Sequence, residues 1–105
     1  MAGFVAIWEF HVHPRKRRQF EKAYSPDGAW ARLLRQDKGY IRTKLVQDTQ
    51  IPGRYLTLDF WLSSADYERF KKNRRADYHA LDQECDALTQ KEIEIGGFTR
   101  RPVRR

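Results

Sequence analysis

The chain has 105 residues, 40% of them hydrophobic and 33% charged, with a formal net charge of +7. That length suits one two-layer core and is too short for two independent ones, and the apolar fraction excludes a disordered polyelectrolyte. Cys85 is the only cysteine, which excludes an intrachain disulfide, while the positive charge attracts anions without choosing among nucleic acid, acidic membrane and small carboxylates.

In chain order, Phe4 to Val12 is nearly continuous in apolar and aromatic residues between Gly3 and Pro14, the pattern of a strand covered on both faces. No basic segment precedes it, and Glu9 and His11 interrupt the apolar run, so no export or membrane-insertion signal is read and a cytoplasmic location is expected. Pro14 suits a helix start, and Arg15 to Tyr24 places Phe20 and Tyr24 four apart on one face. Ser25-Pro26-Asp27-Gly28 breaks that helix, after which Trp30, Leu33 and Leu34 mark a short second piece ending at Asp37-Lys38-Gly39.

Tyr40 to Asp48 alternates Ile41, Thr43 and Leu45 against Tyr40, Arg42, Lys44 and Val46. After the Ile51-Pro52-Gly53 turn, Arg54 to Leu62 alternates Leu56, Leu58, Phe60 and Leu62 against Tyr55, Thr57, Asp59 and Trp61. The two segments predict a hairpin whose aliphatic faces meet the helices. Ser63 or Ser64 caps the next helix, with Asp66 in its first turn and Tyr67 and Phe70 on its buried side, and Lys71-Lys72-Asn73 interrupts it. The helix resumes through Gln90 with Tyr78, Leu81, Cys85 and Leu88 as an amphipathic stripe. Lys91 to Ile95 gives a short last strand, Gly96-Gly97 a kink or corner, and residues 99–105 a basic tail outside a single domain spanning 1–98.

The order β-α-β-β-α-β predicts a ferredoxin-like α+β fold, with a four-stranded antiparallel sheet carrying its helices on one face. Trp8 and Phe10 lie opposite Val5 and Ile7, and Tyr55 and Trp61 lie opposite the leucines of the third strand. The uncovered face is therefore expected to be rich in aromatics and to seek a partner, most simply a second copy in a homodimer. RNA recognition domains share this strand order, but the third strand lacks their glycine-containing motif, so nucleic acid is the least favoured partner.

Asp59 shares a face with Trp61, and Glu9 or His11 on the neighbouring strand is expected to approach it. A buried carboxylate near a histidine suits proton transfer from a phenol-like substrate. Arg42, Lys44 and Tyr40 share a face on the second strand, and the Arg42 guanidinium matches a ligand carboxylate. His11, His13, His79 and Cys85 have no zinc-site spacing, and Gly96-Gly97 is followed by no helix, so neither a metal nor a nucleotide cofactor is expected.

The run into His13-Pro14-Arg15-Lys16, the Gly39-Tyr40-Ile41 strand entry and Tyr55-Leu56 through Trp61-Leu62-Ser63-Ser64-Ala65-Asp66-Tyr67 resemble the antibiotic biosynthesis monooxygenase family of dimeric α+β barrels. The resemblance covers about residues 4–98. Haem-degrading relatives use an Asn on the first strand, a Trp ending the third and a His on the next helix. Here only Trp61 matches: Asn73 is the sole asparagine, and Lys71 stands about where that His would fall. The resemblance therefore implies a cofactor-independent oxygenase-like protein acting on a small hydrophobic, aromatic or polyketide-like compound. The resemblance supplies Trp61 and the strand faces supply the rest: the candidate catalytic residues are Trp61, Asp59 and His11 and the candidate binding residues Trp8, Glu9, Phe10, Arg42 and Tyr55, with no cofactor and no membrane partner expected. The alternative is a non-catalytic small-ligand-binding or interaction module of the same fold.

Overall fold

The computed structural model describes residues 3–101. Strands β1 (Phe4–Val12), β2 (Tyr40–Gln47), β3 (Arg54–Trp61) and β4 (Thr89–Thr99) form one antiparallel sheet in the order β2-β3-β1-β4. Between β1 and β2 lie α1 (Arg17–Tyr24), entered through a 3-10 turn at Pro14–Lys16, and α2 (Ala29–Leu34). Between β3 and β4 lie α3 (Ser64–Asn73), α4 (Arg75–Cys85) and a 3-10 turn at Asp86–Leu88. This is the ferredoxin-like α+β fold with both crossovers broken. Pro26 and Gly28 stop the first, and Arg74 leaves helical geometry between α3 and α4. The Ser63 hydroxyl accepts the Asp66 N–H at 3.2 Å and so caps α3.

Two boundaries differ from the sequence expectation. The last helix stops at Cys85, and Thr89 and Gln90 belong to β4. That strand does not end at Ile95, because Gly96 adopts φ +144°, which allows Ile95 to bulge out of the ladder between the Ile7–Gly96 and Trp8–Glu94 pairs. Pairing then continues through Thr99, and the Arg100 N–H bonds the Gly3 carbonyl at 2.8 Å. Of the basic tail, 102–105 lies outside the described residues.

The two faces of the sheet are exchanged relative to the sequence expectation. Phe10, Val12, Tyr55 and Trp61 pack beneath the helices against Phe20, Tyr24 and Phe70, whereas Val5, Ile7, Leu56, Leu58 and Phe60 occupy the face without helices. Alternation sorts residues into two sets but does not say which set is covered, and here both sets are apolar. Size decides between them: the rings fill the depth between sheet and helices, as where Phe10 of β1 meets Tyr24 at 4.9 Å and Phe20 at 5.2 Å. The open face holds Phe60 and Phe98 in place of the Trp8, Phe10, Tyr55 and Trp61 platform expected there. Among the described residues, no helix is long and apolar enough to cross a membrane.

A bulge at Ile41 makes a second adjustment. Tyr40 pairs with Trp61 and Arg42 pairs with Phe60, so Ile41 is the extra residue and Tyr40 turns to the same face as Thr43. Arg42 and Lys44 stay on the open face, 5.0 and 5.8 Å from the centre of the Phe60 ring, away from Tyr40. The entry to β2 is held by Arg69 of α3, which reaches Asp37 and Asp66 at 2.6 Å each, while Asp37 also accepts the Gly39 N–H at 2.8 Å. The helix after the hairpin thus fixes the start of the strand that carries Tyr40 and Thr43.

Candidate active site

The register aligns four short or missing side chains across the covered face: Thr43, Asp59, Ala6 and Gly97 pair in one row, with Thr57 in the next. The helices above carry large rings, so this row cannot reach them everywhere. A cavity of ≈ 50 Å³ remains between Thr43, Thr57 and Asp59 below and Tyr24, Trp30, Leu34, Tyr67 and Tyr78 above, with Trp8 and Phe10 at its side and Asp82 and Glu92 at its rim. The volume is enough for a few water-sized molecules. Glu92 is exposed and marks the open end, whereas Asp59 is half-buried and lines the inner part of the cavity.

Thr43 donates its hydroxyl to Asp59 Oδ1 at 2.6 Å, and Tyr40 in turn donates to Thr43 Oγ1 at 2.8 Å. Among the described residues nothing hydrogen-bonds the other Asp59 oxygen. Loss of water outweighs the Thr43 hydrogen bond and pushes the Asp59 carboxyl up to about 6. The tyrosines around it move away from neutrality as well: burial raises Tyr24, Tyr40 and Tyr78, and lifts Tyr67 to about 12. They remain protonated at physiological pH, which leaves Asp59 as the enclosed group able to exchange a proton there. Glu92 is also raised, through desolvation and the nearby carboxylates of Asp82 and Asp86.

Glu9 and His11 do not approach Asp59. They point from the opposite face of β1, where the His11 Nε2 and Glu9 Oε2 atoms lie 2.6 Å apart and Arg54 bridges Glu9 at 3.0 Å and Asp48 at 2.8 Å. Those contacts, Arg54 first and His11 second, hold Glu9 down to about 2, the opposite shift from Asp59. Trp61 is fully buried among Tyr40, Tyr67 and Phe70 and stands behind the cavity wall instead of lining it. Tyr55 is buried too, and its hydroxyl donates to Glu21. Of the sequence candidates, the structure brings Asp59, Trp8 and Phe10 together at one cavity and leaves Arg42, Glu9 and His11 on the other side of the sheet. It adds Thr43, Thr57, Tyr24, Trp30, Tyr67, Tyr78, Asp82 and Glu92. Trp30, Tyr67 and Tyr78 carry a signal as helix-stripe aromatics, but periodicity cannot distinguish a ring that packs from one that borders a void.

The chain matches the antibiotic biosynthesis monooxygenase family over residues 3–80. It belongs to that family. Solved structures extend the likeness over nearly the whole chain. A variant of SnoaB, a cofactor-independent oxygenase from Streptomyces nogalater, is 20% identical with a TM-score of 0.76, covering 96% of this chain and 95% of that one. A Bordetella bronchiseptica protein assigned to the same family is 18% identical with a TM-score of 0.74 over 98% and 99% of the two chains. PA3566 from Pseudomonas aeruginosa is 15% identical with a TM-score of 0.68 over 99% and 97%. At such identities the structural likeness speaks to the fold alone. No curated protein matches the chain.

The Asp59 shift has a consequence for stability. A carboxyl raised on folding contributes stability that is present below its ordinary value of 3.8 and lost as pH rises through about 6. At pH 8, Asp59→Asn should therefore raise stability by up to about 3 kcal/mol, and at pH 4 it should change little; thermal melts at both pH values measure this. Equal melting temperatures for the two proteins at pH 8 would contradict the shift.

Proposed function

We propose that the cavity is the active site of a cofactor-independent monooxygenase acting on a small electron-rich phenol. The reading is carried by Asp59, an enclosed carboxyl poised near neutrality against aromatic walls, and supported by family membership. The small volume weighs against a fused polyketide.

The chemistry needs no external reductant. Asp59 takes the phenolic proton, and the resulting phenolate is electron-rich enough to pass one electron to dioxygen. Superoxide then joins the ring carbon para to the oxygen, forming the C–O bond, and Asp59 returns its proton to the peroxide. Asp59 next removes the hydrogen on that carbon while the O–O bond breaks, giving a quinone carbonyl and hydroxide, which the same proton converts to water. One oxygen atom enters the product, the other leaves as water, and the substrate supplies all four electrons. Thr43 and Tyr40 hold the Asp59 carboxylate in place through donated hydrogen bonds, and the surrounding rings keep bulk water from the radical pair. Trp61 acts in this scheme as a positioning residue that backs Tyr40 and Tyr67.

Oxygen uptake with para-unsubstituted phenols tests the reading. With labelled dioxygen, one labelled atom should appear in the quinone, kcat/KM should rise through an apparent pKa of about 6 to a plateau, and Asp59→Asn should lower kcat by about 100-fold or more. Tight binding of phenols without oxygen uptake would instead favour a ligand-binding module.

The open sheet face supports a homodimer. Its rows Phe60–Val5–Phe98, Leu58–Ile7 and Leu56–Val46 form an apolar patch rimmed by Arg42, Lys44 and the Glu9–Arg54–His11 network, and stacking a second sheet on it removes that patch from water. Native mass spectrometry should give two subunits, and Leu58→Asp should give folded monomers; a monomeric parent protein would overturn the dimer.

A further inference from the structure

The charges that border the cavity run against those of the chain. The chain holds 21 Lys and Arg against 14 Asp and Glu, yet the cavity lining contains three carboxylates, Asp59, Asp82 and Glu92, and no Lys, Arg or His. The nearest cations stay outside it. Lys71 lies over the Tyr67 ring at 4.5 Å without joining the lining, and Lys72, Arg75 and His79 line a separate outer groove that shares only Tyr78 and Asp82 with the cavity.

The spread of these carboxylates along the lining points to an organic occupant. The carboxylates themselves do not converge on one point: among the described residues, no three His, Cys, Asp or Glu side chains are grouped to hold a metal ion. Carboxylates spread along walls of Trp8, Trp30 and Tyr78 match an extended cation whose charge the ring faces also attract.

We propose that this cavity selects a protonated aromatic amine, with the ammonium group near Asp82 and Glu92 and the ring carried inward toward Asp59. The proposal rests on the cavity being the substrate site and names the class of substrate it takes. A phenol that carries a carboxylate is correspondingly disfavoured, because that group meets acidic side chains and no compensating cation.

Three probes that share one ring test it: 3-hydroxybenzylamine, 3-hydroxybenzyl alcohol and 3-hydroxybenzoate, each leaving the para position free. Calorimetric titration of the intact protein should show the amine binding about ten-fold tighter than the alcohol and the benzoate binding weakest. In the double variant Asp82→Asn, Glu92→Gln the preference for the amine over the alcohol should shrink to about two-fold or less. Replacing two neighbouring acids by amides removes a repulsion, and the comparison on the unaltered protein stands by itself if the variant fails to fold. Equal affinities, a preference for the benzoate or no binding of the amine would overturn the proposal. Oxygen uptake on the same samples separates the two readings. Amine preference without uptake leaves the cation site and removes the oxygenase, whereas uptake from neutral phenols without amine preference does the reverse.

Discussion

A carboxylate at the centre of a sheet's covered face must give up its water, and the rest of the site is arranged around that loss at Asp59. The β2-β3-β1 register places Asp59 between Thr43 and Ala6, so one neighbour supplies a hydrogen bond and the other leaves space. Large rings in that row would close the cavity; more donors would satisfy the carboxylate and pull its pKa down, as Arg54 and His11 do for Glu9 on the other face of the same sheet. Two acids on opposite faces of one sheet thus shift in opposite directions, because one is hydrogen-bonded to Arg54 and His11 and the other to a single hydroxyl.

The two faces divide the work. The helix side holds the rings and the cavity, and its aromatic clusters, Phe10–Phe20–Tyr24–Tyr55 near one end and Tyr40–Trp61–Tyr67–Phe70 near the other, form stiff walls with the small-residue row between them. The open side carries aliphatic rows framed by charges. Both sides are apolar for different reasons, one to fill depth and one to present a flat surface.

Much of the fold can be read from local signals whose physics is local: the Pro14 helix start, the Ser25-Pro26-Asp27-Gly28 break, the Ser63 cap and the period-two hairpin of β2 and β3. The errors arise where a decision is tertiary. Which face of Trp8 and Trp61 is covered depends on how rings and aliphatics share volume across the whole core, and the Ile41 bulge that turns Tyr40 toward Thr43 adds one residue without altering the sequence pattern. Asp59 is recognisable as a strand carboxylate on an aromatic face, but its partner is Thr43 sixteen residues away instead of His11. The cavity is least legible of all, since it exists only where Thr43, Thr57 and Asp59 of the hairpin meet rings from both helical crossovers.

The chemistry of the cavity turns on the ionisation of Asp59, and the most direct measurement follows its carboxyl carbon by NMR across a pH titration of protein carrying labelled aspartate, assigned with Asp59→Asn. A midpoint near the value of about 6 is the result the structure requires. A midpoint at or below the ordinary value of 3.8 would mean that the carboxylate is solvated or paired, and the proton-transfer role assigned to it would fail.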